Sequence, residues 1–124
     1  MSISGPPEPP GNIKAVSVAA YNVNITWVVG GNRGSQQTFL VMFRKTGESQ
    51  PLNFKTNAVD PVAGTVEYFV LSDLTPETEY EIWVRSENQN TGDNHADSEK
   101  ITVVTRGKQW VFKTIYTFTE RLNI

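Results

Sequence analysis

From residue 11 to residue 106 the chain alternates apolar and polar side chains in short runs, and turn residues separate the runs. A period of two sends successive side chains to opposite faces of a strand, one face for a core and one for solvent. Val23, Ile25 and Trp27 alternate with Asn24, Thr26 and Val28. Phe39, Val41 and Phe43 alternate with Leu40, Met42 and Arg44, and Tyr80, Ile82 and Val84 with Glu81, Trp83 and Arg85. Gly30-Gly31-Asn32-Arg33-Gly34-Ser35, Thr46-Gly47-Glu48, Pro61 to Gly64 and the polar stretch Asn88 to Asp97 break the runs. No stretch repeats with the roughly 3.6-residue period of an amphipathic helix. Seven short strands result, the pattern of an all-β, antiparallel β-sandwich; a closed barrel of this size usually has about five or eight.

Composition narrows the function more than the fold. At 124 residues and a net charge of −2, the chain is one domain with tails, and it lacks the basic stripe that nucleic acid requires. It has no cysteine and one histidine, His95. Disulfides, thiolate metal sites and cysteine nucleophiles are thereby excluded, and little is left for general-base chemistry. No Ser/His/Asp set, phosphate loop or positioned carboxylate pair is legible, so no enzyme, no small-molecule substrate, no cofactor and no metal are expected. The longest apolar run, Phe39 to Phe43, is far short of the roughly 20 residues of a membrane span. Met1-Ser2-Ile3-Ser4-Gly5 carries neither a basic start nor an apolar stretch, so no signal peptide is expected.

Three zones follow. Residues 1–9 are a proline-rich lead-in, stiffened by Pro6, Pro7 and Pro9. Residues 10–106 are the sandwich. Residues 107–124 are a β-prone aromatic tail with Trp110, Phe112, Tyr116 and Phe118 at even positions. Three readings of the tail stay open: an added edge strand, the truncated start of a next module, or non-native sequence read through a splice donor at Gly107-Lys108.

Three features within this frame carry a resemblance. Trp27 sits inward on the second strand. Leu74-Thr75-Pro76-Glu77-Thr78-Glu79-Tyr80 leads into the sixth. Pro9-Pro10-Gly11 opens the domain. Together they resemble a fibronectin type III domain, an immunoglobulin-like fold, over residues 6–106. The resemblance implies strands at 12–19, 22–29, 37–45, 51–57, 66–72, 78–87 and 98–105. It also implies that the Tyr80 ring packs into the corner before its strand while its hydroxyl bonds a backbone group a few residues upstream. The glycine-rich turn ahead of Gln37-Thr38-Phe39 resembles modules of immunoglobulin-superfamily adhesion receptors. Arg33-Gly34 is followed by Ser35, so the family's integrin-binding Arg-Gly-Asp is absent.

The candidate residues divide into frame and surface. Trp27, Leu74, Pro76, Tyr80, Phe39, Val41 and Ile82 are assigned to the structural core, with Phe43 and Val84. Leu40, Met42, Arg44, Trp83 and Arg85 fall together on the outer side of the third and sixth strands if these pair. Trp, Met and Arg are enriched at interfaces, so this is the candidate partner patch; plain cross-strand packing is its structural alternative. Asn24-Ile25-Thr26 is a glycosylation sequon on an outward face. Loops 30–36 and 88–97 are expected at one end of the sandwich. Glu77, Glu79 and Glu81 are expected to share a face, as a solvated row. Asp93 and Asp97 are too few for a calcium loop.

The expected function is a non-catalytic protein-binding or spacer module. The resemblance implies a fragment of an extracellular, membrane-attached adhesion or receptor protein, with neighbouring immunoglobulin or fibronectin type III modules or a receptor partner. The alternatives are an intracellular structural module of a tandem array and an accessory module of a secreted enzyme.

Overall fold

The computed structural model describes residues 6–88 and 94–107. Its strands are β1 (Gly11–Val18), β2 (Val23–Val28), β3 (Gln37–Lys45), β4 (Leu52–Val59), β5 (Val66–Leu71), β6 (Glu79–Asn88), β7 (His95–Asp97) and β8 (Ile101–Val104). They form two antiparallel sheets. One has the order β1-β2-β5; the other runs β4-β3-β6-β7, with β8 also paired to β6. The β-sandwich expected from the alternation is therefore the architecture of the protein.

The eighth strand comes from a division of the last one. Against β6, Asp97 pairs with Arg85 but Ile101 pairs with Ile82, so the register slips by one residue between β7 and β8. Ser98 bridges the slip. Its N–H donates to Val84 O at 2.8 Å, and its hydroxyl accepts from Val84 N at 2.9 Å, replacing the carbonyl that a regular ladder would supply. The stretch 88–97, expected to be loop throughout, is thus corrected at both ends: Asn88 closes β6 and His95–Asp97 form β7.

The inward residues of both sheets make one core. Val23, Ile25, Trp27, Phe39, Val41, Phe43, Leu71, Leu74, Tyr80, Ile82, Val84 and Val103 are all buried within it. Trp27 lies 5.8 Å from Phe39 between ring centroids, and Phe43 lies 6.4 Å from Tyr80. Burying each such side chain stabilises the fold by about 1.5–3 kcal/mol.

Tyr80 closes the corner ahead of β6. Its hydroxyl oxygen accepts a hydrogen bond from Thr75 N at 2.9 Å, while Leu74 N donates to Tyr21 O across the other sheet at 2.9 Å. Pro76 lies in the turn between them, half-buried.

The chain enters and leaves at opposite ends. At one end Glu8 N donates to Gly31 O, and Gly31 N donates back to Glu8 Oε1. A Cβ on Gly30 would stand 3.0 Å from the Glu8 and Pro9 carbonyl oxygens, so the lead-in lies directly on that glycine backbone. At the other end Arg106 N donates to Ala19 O at 3.1 Å and Arg106 Nε to Val18 O at 2.9 Å, where β1 finishes.

Candidate binding surfaces

The antiparallel register of β3 and β6 sets the candidate patch. Leu40 lies opposite Arg85, Met42 opposite Trp83, and Arg44 opposite Glu81. The five patch residues therefore share one outer face, but its apolar centre is covered. Met42 and Trp83 are each only 4% exposed. The Arg44 guanidinium sits 5.4 Å from the Trp83 ring centroid and the Lys100 ammonium 4.8 Å from it. Long charged side chains lie along apolar surface and keep their heads in water, and a cation over an indole face is attracted to its π-cloud.

Two ion pairs brace this cover. Arg44 Nε donates to Glu81 Oε1 at 2.8 Å. Arg85 Nε and one terminal nitrogen donate to the two oxygens of Asp97 at 2.7 and 3.1 Å. The hydrogen bond to Asp97 pushes the Arg85 pKa up, against the opposing effect of burial. Such half-exposed pairs contribute little energy; here they fix where the side chains lie.

The acidic row is shorter than expected. Glu77 lies in the turn before β6, with φ at 51°, outside the strand. Glu79 Oε2 accepts from the Thr46 hydroxyl and Glu81 is held by Arg44, so each has a partner. Loop 30–36 and the link between β6 and β7 do leave from one end, because Gln37 opens β3 opposite Asn88, where β6 closes. His95 is exposed. Among the described residues no three His, Cys, Asp or Glu side chains stand together, and no helix is long and apolar enough to cross a membrane. Asp93 and the tail beyond Gly107 lie outside the described residues.

Two features had gone unremarked in the sequence. Lys100 extends the β6–β8 register to the position opposite Trp83; pairing the last strand with the sixth would have placed it there. The other is the outer face of β1-β2-β5. There Val66, Tyr68 and Val70 stand 62%, 73% and 43% exposed on an edge strand. Asn24 lies opposite Val70, and Thr26 opposite Tyr68. A groove of about 460 Å³ runs beside this edge, between β5 and β4, lined by Thr56, Ala58, Glu67 and Phe69 among others. Its existence depends on which strands end up at sheet edges, which alternation alone does not encode.

Comparison with known proteins decides the family. The fibronectin type III domain matches over residues 8–104. The chain belongs to the fibronectin type III family. It resembles modules of immunoglobulin-superfamily adhesion receptors: it is 32% identical to human nephrin over 82 residues, and 32% identical to zebrafish contactin-5 over 101 residues. These matches cover 66% and 80% of this chain but only 6% and 10% of those proteins, so the chain spans a small part of the relatives it matches. Among solved structures, chicken contactin-1 domains FN1–FN3 align with a TM-score of 0.64 at 22% identity, over 83% of this chain and 33% of that one. Titin domains A168–A170 align at 0.63 and 22% identity, over 82% and 32%. Both likenesses bear on the fold.

Proposed function

We propose that this fibronectin type III domain is a non-catalytic spacer and protein-binding module of an extracellular adhesion or receptor protein. The observation that carries the reading is the placement of its ends. The lead-in is fastened at Gly31, beside the end of β2, and the exit at Val18 and Ala19, where β1 finishes. Eight residues of β1 separate the two, a span of about 26 Å at the usual strand rise. A neighbour on either side would be held in line, the sheet faces would be presented laterally, and the loops around Gly30 and Asn94, at the entry end, would face the preceding neighbour. A rigid frame that carries loops and faces in this way is a common binding device.

The similarity to nephrin and contactin-5 supports the extracellular setting. The domain's partners would be neighbouring immunoglobulin or fibronectin type III modules, or the ectodomain of another receptor.

The test is staining of the native source with an antibody raised against the folded domain. Signal on intact, unpermeabilised cells is expected. Signal only after permeabilisation would overturn the extracellular reading in favour of an intracellular tandem array.

A further inference from the structure

We infer that Asn24 is an N-glycan acceptor and that its glycan covers the outer face of β1-β2-β5. The inference rests on the extracellular reading and goes beyond it by naming the site and what it shields. Asn24-Ile25-Thr26 is the one Asn-X-Ser/Thr sequence in the chain. Both of its polar residues project from the central strand of this sheet, on the face away from the core, because Val23, Ile25 and Trp27 take the inward positions. Asn24 and Thr26 are half-buried by their neighbours. Neither side chain holds a hydrogen bond among the described residues, so conjugation of the Asn24 amide breaks nothing in the fold.

What surrounds the sequon is the second observation. Across β5, Val70 stands opposite Asn24 and Tyr68 opposite Thr26, with Val66 further along. All three are exposed, Tyr68 to 73%. On the β1 side Ser17 stands opposite Asn24, next to the 58% exposed Val16. Directly opposed residues on one face are about 4.5–5.5 Å apart and diagonal ones about 7–8 Å. The first sugar on Asn24 is therefore within reach of Val70 directly and of the Tyr68 ring diagonally, and a pyranose lays its C–H face on such a ring. An exposed apolar row on an edge strand invites pairing with another chain. The side chains beside this row are too short to cover it. A bulky hydrophilic group rooted one strand away covers it without occupying the core.

The chemistry is the ordinary transfer in the secretory pathway. Nδ2 of Asn24 bonds to C1 of the reducing-end sugar of a lipid-linked oligosaccharide. The bond from C1 to the pyrophosphate oxygen breaks, the lipid pyrophosphate leaves with the electron pair, and the amide gives up one proton.

The experiment expresses the full chain behind a supplied secretory leader in mammalian cells and digests the secreted protein with peptide N-glycosidase F. Expected is a loss of mass on digestion, with Asn24 converted to Asp in the peptide map. No loss should occur in Asn24→Gln or in the near-isosteric Thr26→Val, both still showing the β-sheet dichroism of the parent. Nitration of Tyr68 by tetranitromethane should then rise once the glycan is removed, while nitration of Tyr21 stays level. A secreted, folded chain with Asn24 unoccupied overturns the acceptor assignment. An occupied Asn24 with Tyr68 nitration unchanged by digestion overturns the shielding. Because the leader is supplied, neither result depends on where the native protein resides, which the staining of intact cells reads separately.

Discussion

The two outer faces of the sandwich follow the same in-and-out alternation and end differently. On the β3–β6 face the largest apolar side chain, Trp83, is 4% exposed; on the β1-β2-β5 face the largest, Tyr68, is 73% exposed. Strand period does not separate them, since both point away from the core. Their neighbours do. Trp83 stands opposite Met42 and beneath Arg44 and Lys100, whose long side chains reach over its ring, whereas Tyr68 stands beside Thr26, Val66 and Val70, which are too short to do so. An outward aromatic residue is thus a poor guide to a binding surface until the reach of its neighbours is known.

Four substitutions break or sharpen this contrast. The largest effect sets the scale. Trp27→Ala empties the shared core and should cost about 3–5 kcal/mol, read as a drop in the urea midpoint or outright unfolding. Trp83→Ala comes next. If its neighbours cover it as described, the loss is about 2 kcal/mol, from apolar area and the two cation contacts together. A variant as stable as the parent would mean that the indole is a free surface. Lys100→Ala removes one half of the cover and should cost about 0.5–1 kcal/mol, with the difference shrinking in urea titrations at molar salt. Tyr68→Ser should change stability least, within about 0.5 kcal/mol, yet reduce binding of a hydrophobic dye by the unglycosylated chain. A large stability loss there would place Tyr68 in a packed environment that the described residues do not provide.

The fold was legible because its signals are local. Period-two runs and the prolines before β1 each state their conformation within a few residues, the Leu74-Pro76-Tyr80 corner was implied by the family resemblance that those residues carry, and β3 falls where the alternation put it. The division of the last strand was not legible. It rests on a hydroxyl of Ser98 standing in for a carbonyl, and serine reads equally well as loop. The candidate patch was legible as a grouping, because pairing the third and sixth strands suffices to align Leu40, Met42 and Arg44 with Trp83 and Arg85. Its exposure was not, because Lys100 and Asp97 reach it from a strand whose register was unassigned. The bare β5 edge was hidden for a related reason: an edge is a property of sheet order, and Val66, Tyr68 and Val70 read in sequence like any half-buried strand.

The central claim is that the β3–β6 face is closed by its own charged side chains while the β1-β2-β5 face is open. Hydroxyl-radical labelling of the unglycosylated chain, read residue by residue, tests it most directly. Methionine and tryptophan react intrinsically faster than tyrosine, so burial has to invert the natural order. Strong labelling of Tyr68 with protection of Met42 and Trp83 is the result this account requires; rapid labelling of Met42 and Trp83 would contradict it.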